Sequence, residues 1–248
     1  FLWQEGHTCH ETYEDAQEET LQMLEIYRQV AEELLAMPVL LGRKSDNERF
    51  AGADATYTME AMMHDGKALQ AGTSHNLGQN FSKMFDIEFQ NREGGLSNVW
   101  TTSWGISTRL IGGLIMTHGD NRGLKMPPRV APTQVVIVPV AQHKEGVLDK
   151  AYDLKKQLEK NFRMEIDARD TQSPGWKFNY WEMKGVPVRL EIGPKDIEKN
   201  QVVLVRRDTH EKLFVSMDDL DTTLENLLEE IQENMFQMAV QARTDNMI

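Results

Sequence analysis

The residues best suited to chemistry in this chain fall where alternation predicts strands and where an apolar helix begins. Trp3, Glu5 and His7 share one face of an opening strand. Thr73 and His75 share a face of another, within the run Gln70-Ala71-Gly72-Thr73-Ser74-His75. Strict alternation sends Gln70 to the opposite face. A bulge at Gly72 would bring all three together, and strand glycines often mark bulges. Arg109 falls in the first turn of an apolar helix, where a cation opposes the helix dipole and needs an anion beside it. A helix N-terminus with an arginine makes a phosphate site. Taken singly, each residue reads as structural: Glu5 or His75 as a satisfied polar group, Trp3 and Trp104 as core. His7-Thr8-Cys9-His10 matches no zinc spacing.

The elements that must position these residues follow from periodicity. The opening strand runs from Phe1 to His7, with Phe1, Trp3, Glu5 and His7 on one face. A helix follows, N-capped by Thr12, acidic in its first turn and ending at Pro38. Its acidic face reads as solvated surface. Val39 to Gly42 is a short strand, and Ala55 to Met63 with Lys67 to His75 form a hairpin closed at Asp65-Gly66. Ile87 to Gln90 and Val99 to Trp104 are two further strands joined by a turn at Gly94-Gly95. The helix from Ser107, apolar almost all round, is expected to be buried. Hairpins with few crossovers imply a mainly antiparallel sheet.

Gly119 to Pro132 is rich in Gly and Pro and reads as a linker region. Beyond it, strands at Val135 to Val140, Met164 to Ala168, Val186 to Ile192 and Gln201 to Arg206 alternate with helices at Lys144 to Asn161 and Phe178 to Lys184. That pattern indicates an α/β domain of mixed sheet. A last amphipathic helix uses Leu220, Leu224, Leu227, Leu228, Ile231 and Met235.

With 248 residues, 40% hydrophobic and 27% charged, the chain suits one or two domains of a soluble cytoplasmic protein. No run of about 18 apolar residues suggests a membrane span, and the first residues do not form a signal peptide. The chain opens without Met inside a strand, which suggests a piece of a longer product. Its one cysteine, Cys9, excludes a disulfide framework and fits a reducing compartment. The net charge of −12 argues against indiscriminate nucleic-acid binding. Much of the acid lies between Glu11 and Glu33, however. Arg163 to Lys212 is more balanced and leaves room for a local basic face.

Five collinear runs carry a family resemblance. FLWQEGHTCHETYEDA resembles the second strand of class II motif 2 and the next helix in prolyl-tRNA synthetases of the archaeal and eukaryotic type. RKSDNERFAGADATYTMEA and LQAGTSHNLGQNFSKMF resemble the adenylation-site hairpin of that family. TTSWGISTRLIGGLIMTHGDNRGLKMPPRVAP resembles its motif 3, and SPGWKFNYWEMKGVPVRLEIGPKDIEKNQVVLVRR its anticodon-binding domain.

The resemblance implies an antiparallel-sheet class II catalytic core over 1–126, a linker over 127–132, a mixed-sheet α/β anticodon-binding domain over 133–217 and a C-terminal helix over 218–248. It implies ATP-dependent activation of proline and transfer to tRNA(Pro), with Mg2+ and arginine neutralising pyrophosphate. Arg109 then matches the motif 3 arginine on ATP phosphate. Ser107, beside Thr108, matches a hydroxyl near the nucleotide. Gln70 and Thr73 face ATP, Gln70 also its bound Mg2+. Trp3, Glu5, His7, Phe50, His75, Trp104 and Gly105 match the walls of a proline pocket, where a small ring wants aromatic walls and its ammonium a carboxylate. Lys195, Asp196, Glu198, Arg206 and Arg207 match anticodon readers, whose side chains suit guanine edges. Motif 1, the front of motif 2, the main ammonium ligands and a Cys-rich C-terminal module do not appear in these residues. The 248 residues alone are therefore expected to be inactive, and a homodimer is expected of the full-length parent. A non-catalytic tRNA-binding paralogue or fragment, and a threonyl or glycyl sibling, remain the alternatives.

Overall fold

The computed structural model describes residues 2–247, so Phe1 lies outside the described residues. The chain divides into two compact units: one from residues up to and including Thr117 together with those from Ala242 onward, the other over His118–Gln241.

The first unit is built on a five-stranded sheet in the order β1-β7-β4-β3-β2, antiparallel throughout. Its strands are β1 (Trp3–His10), β2 (Val39–Arg43), β3 (Ala55–Met62), β4 (Ala68–Gly78) and β7 (Trp100–Ser107). Helix α1 (Tyr13–Gln29) starts where Thr12 accepts a hydrogen bond from the Asp15 amide at 3.2 Å. This cap satisfies one of the orphan amides of the first turn. The α-helix ends at Gln29, and a π-helical turn over Val30–Leu34 completes the segment before Pro38.

Ala16, Leu24 and Tyr27 form the buried stripe of α1. Ser74 of β4 ties the helix to the sheet by donating to the Thr20 carbonyl at 2.7 Å. Tyr27, Met37, Met59, Ala71, Trp104 and Leu110 form one core cluster. Gly6 permits this packing, because a Cβ there would lie 2.3 Å from the Trp104 ring. We expect Gly6→Ala to displace that indole and cost about 1–3 kcal/mol, measured as a lower melting temperature. An unchanged melting temperature would show that the ring has room to move.

Two expectations need correction. The Gly94-Gly95 turn does not join Ile87–Gln90 to the strand at Val99. It closes a small hairpin of β5 (Glu88–Gln90) with β6 (Leu96–Asn98), and the chain then enters β7 of the main sheet. The ribbon is closed by its own turn bonds, such as Asn91 N donating to Gly95 O at 2.8 Å. After the short α2 (Asn80–Met84), helix α3 (Arg109–His118) is buried on one side only. Leu110 and Leu114 face the core, whereas Ile111 and Ile115 are 60% and 42% exposed.

The second unit holds a five-stranded mixed sheet in the order β12-β11-β10-β8-β9. Strands β8 (Val135–Pro139), β9 (Met164–Ile166) and β10 (Val188–Ile192) run parallel, and β11 (Gln201–Arg206) and β12 (Lys212–Ser216) add antiparallel. Val135, Val136, Ile137 and Val138 are all fully buried, which explains the unbroken apolar run. Helix α4 (Val147–Leu158) buries Val147, Ala151, Leu154 and Leu158, and α5 (Pro174–Met183) is capped by Ser173. The short α6 (Pro194–Glu198) and strand β12 have no counterpart in the sequence reading. The last helix, α7, spans Leu220–Asn246 and buries the predicted leucines.

Candidate functional site

In the first unit the β3–β4 pairing slips by one residue, so that Met59 pairs with Gly72 and Glu60 with Gln70. Ala71 is the extra residue, adjacent to the glycine where the bulge was expected. The slip lets Gln70 and Thr73 line the same cleft, of about 310 Å³, together with Trp3, Glu5, Ser107 and Arg109. Gly72 allows the crowding, since a Cβ there would lie 2.8 Å from Ile106 and Met59.

Arg109 is the first residue of α3, and its amide donates to Ser107 Oγ at 3.2 Å. Ser107 thus closes the helix start as a cap would. The Arg109 guanidinium donates to the Gln70 main-chain oxygen at 3.2 Å, while Lys44 Nζ donates to Gln70 Oε1. Two cations therefore converge on one residue beside a helix N-terminus. Such an arrangement favours a polyphosphate.

A second pocket, of about 490 Å³ and largely apolar, is lined by Glu5, His7, Phe50, His75, Trp104 and Gly105 among others. Glu5, Thr73 and Gly105 line both cavities. The Phe50 and His75 rings lie 5.1 Å apart, and Thr56 Oγ1 both bonds His75 Nδ1 at 3.0 Å and accepts from the Phe50 amide at 3.0 Å. Trp3 lines the first cleft rather than this pocket, and its indole nitrogen donates to Glu5 at 3.1 Å. Trp104 reaches the pocket wall, but its ring packs in the core across Gly6. Strand alternation puts Ser103 and Gly105 on the opposite side of β7 from that ring.

Burial, with the positive Lys44 nearby, lowers the His75 pKa from 6.5 to about 4. At neutral pH the ring is therefore an uncharged wall. The unfolded chain takes up this proton near pH 6.5 and the folded chain only near 4, so this group's effect is a loss of stability as pH falls from 6.5 to 4. Following the imidazole by NMR should give a midpoint near 4. A midpoint near 6.5 would mean that the ring is solvated.

In the second unit Lys195 and Glu198 are exposed on α6. Asp196 instead accepts from the Gly193 amide at 2.9 Å and caps that helix. Arg206 is buried, with two bonds to Asp208 at 3.0 and 2.7 Å. Arg207 is only 4% exposed, and it binds both oxygens of Asp120 at 2.9 and 2.7 Å and the Glu182 carbonyl at 2.9 Å. Both guanidiniums are thus committed to carboxylates of their own unit.

These two arginines also border a basic cavity of about 220 Å³, together with Arg122, Arg189, His210 and Lys212. Glu182 supplies an acid there, paired to Arg122 at 2.9 Å. Sequence reasoning missed Arg189, Lys212 and, in the first unit, Lys44. Arg189 lies over the Phe178 ring at 4.2 Å and bonds Glu191 at 3.0 Å. Only strand register joins these positions. The one available signal was the basic character of the segment.

Among the described residues no three His, Cys, Asp or Glu come together as a metal cage. Gln70 Oε1 is already occupied by Lys44, and Glu5 is the only carboxylate shared by the two cavities. This donor set does not fit a protein-held Mg2+, which prefers carboxylates together with substrate phosphates. No helix among the described residues is long and apolar enough to cross a membrane.

Two family models and several curated relatives match this chain. The family model for the tRNA synthetase class II core domain (G, H, P, S and T) matches residues 1–118, and that for the anticodon binding domain matches 134–233. A proline–tRNA ligase of Alkaliphilus oremlandii is 67% identical over 245 residues, covering 99% of this chain and 51% of the relative. One from Acetoanaerobium sticklandii is 65% identical over 240 residues, covering 96% of this chain and 50% of the relative. A proline–tRNA ligase 2 of Bacillus cereus is 62% identical over 246 residues, covering 99% and 52%. The chain spans about half the length of the curated relatives it matches.

Proposed function

We propose, from the premise that this chain belongs to the prolyl-tRNA synthetase family of class II aminoacyl-tRNA synthetases, that the protein carrying it activates proline with ATP and transfers it to tRNA(Pro). In the first step a proline carboxylate oxygen attacks the α-phosphorus of ATP, and the bond to pyrophosphate breaks. In the second, the tRNA 3′-terminal hydroxyl attacks the prolyl carbonyl and AMP leaves.

One observation carries this reading: the apolar pocket and the cationic cleft share Glu5, Thr73 and Gly105 as a common wall. A small amino acid held in the pocket would place its carboxylate at that wall, facing a nucleotide in the cleft. Holding both reactants in line is a major source of rate acceleration. Phe50 and neutral His75 would flank the ring, with His7 at the pocket edge and Glu5 facing the ammonium. Arg109 and Lys44 would take phosphate charge, with Ser107, Thr73 and Gln70 fixing the nucleotide. Mg2+ would arrive on the ATP phosphates.

The catalytic role is assigned to segment 1–126 and RNA binding to 133–217. There, Lys195 and Glu198 are exposed enough to meet an anticodon loop, and the basic cavity at Arg189 and Lys212 offers donors to guanine edges. Arg206, Arg207 and Asp196 would shape that surface through their internal bonds. A homodimer in the cytoplasm, where tRNA is charged, completes the proposal.

The test is ATP–pyrophosphate exchange by the protein carrying these residues. Exchange that depends on proline is expected. Its absence sinks the enzyme reading and leaves an RNA-binding paralogue, whereas exchange with threonine or glycine alone assigns a sibling specificity.

A further inference from the structure

One side of α5 carries a ladder of aromatic and cationic groups that touches the basic cavity through Trp181 alone and is otherwise outside the candidate sites. Trp176 and Tyr180, one helical turn apart, stack with centroids 5.1 Å apart and planes inclined by 15°. The Arg169 guanidinium lies 4.8 Å from the Trp176 centroid and 4.4 Å from that of Tyr180. Lys184, another turn along, sits 4.6 Å from the Tyr180 ring and 5.2 Å from the Trp181 ring.

Buried groups hold this ladder in place. Asp167, almost wholly buried, accepts from Arg169 Nε at 2.8 Å and Nη2 at 2.5 Å, and from Trp181 Nε1 at 2.8 Å. Lys177, also buried, donates to the Asp167 carbonyl and to Gln142 Oε1, both at 3.0 Å. A charge buried in this way is costly unless it is fully bonded. Here the bonding fixes the orientation of Arg169 and Trp181 and leaves the outer rungs open. Trp176 remains 43% exposed, and Lys184 is exposed. Trp181 also lines the basic cavity, so ladder and cavity are continuous.

We propose that this ladder is a stacking platform for unpaired nucleotides of the RNA loop whose neighbouring bases enter the cavity. The inference rests on the anticodon-binding reading. Flat aromatic faces accept any base, and adjacent cations meet the phosphates between successive bases. An acidic peptide would use the two cations but not the flat rings, so single-stranded RNA fits the chemistry better.

The probe is an anticodon stem-loop RNA of proline tRNA, titrated against the whole protein. Trp176→Ala should weaken binding roughly 5-fold or more, and Trp176→Phe should restore most of the affinity. Lys184→Ala should reduce the slope of log affinity against log salt by about 1. Unchanged affinity in Trp176→Ala, with Arg189→Ala still weakening binding, overturns the platform and leaves the anticodon reading intact. If the wild type does not bind the stem-loop, both fail. Loss of binding to a Glu-rich peptide, with RNA affinity unchanged, also overturns it and assigns the ladder to an acidic partner. A direct readout avoids any folding defect of the variants. 2-Aminopurine placed through the loop should be quenched at one or more positions on binding the wild type, and no quenching at any position refutes the proposal.

Discussion

Replacing Arg109 with Ala should slow proline-dependent pyrophosphate exchange by roughly 10²-fold or more. The loss should fall mainly in kcat. Negative charge grows on the phosphate oxygens as the α-phosphorus is attacked, so a cation aimed there strengthens its interaction in the transition state. Local structure fixes where Arg109 sits: it opens α3, its amide donates to Ser107, and its guanidinium donates to the Gln70 carbonyl at 3.2 Å. Arg109→Lys should recover only part of the rate, because a point charge replaces a two-pronged donor. Lys44→Ala should cost less, since that ammonium reaches the cleft through Gln70 Oε1. Normal turnover in Arg109→Ala would rule out the assigned role. A rise in KM with kcat unchanged would reduce it to ground-state binding of ATP.

Arg207→Ala should destabilise the second unit by about 1–3 kcal/mol, because the buried guanidinium's bonds to the solvent-facing Asp120 carboxylate and to the Glu182 carbonyl are lost. The urea midpoint of that unit should fall by roughly 1–2 M. Asp120 keeps Lys125 at 3.2 Å and the Arg122 amide at 2.8 Å, which holds the cost toward the lower end. Hydrogen bonds from Arg207 hold the Asp120 carboxyl well below the usual carboxylate range. A carboxyl depressed in this way adds stability that is present above the unfolded value, near pH 4, and is lost as pH falls from there toward the folded value. Wild type should therefore lose stability below about pH 4, and Arg207→Ala should lose less over the same range. A variant as stable as wild type, but defective in RNA binding, would return Arg207 to the role of an anticodon reader.

These two arginines divide the information differently. The place of Arg109 at the start of α3 was legible because its signal is local: an apolar helical run opens at that residue. The Gly72 bulge was legible for a similar reason, since a glycine inside an alternating strand has few other uses. Thr12, the Asp65-Gly66 turn and the leucines of α7 likewise act within a few residues of themselves. Arg207 was not legible. Its partner Asp120 is 87 positions away, and nothing in either neighbourhood records that the two meet, so an arginine held by its own unit and an exposed reader look alike in one dimension.

The exposed side of α3 and the pairing of β5 with β6 were misjudged for a related reason: apolar content does not say which neighbour covers a face or which strand reaches a partner first. The sequence by itself determined the order of the main elements, the antiparallel and mixed character of the two sheets, and the positions of the Thr12 cap and the Asp65-Gly66 turn. Tertiary structure decided which residues meet. It brought Lys44 to Gln70, placed Trp3 in the cleft and turned the Trp104 ring into the core. It also committed Arg206 and Arg207 to carboxylates and assembled the ladder on α5. Local propensity and periodicity act over a few residues, whereas burial and charge pairing are settled by strand register and packing between distant segments.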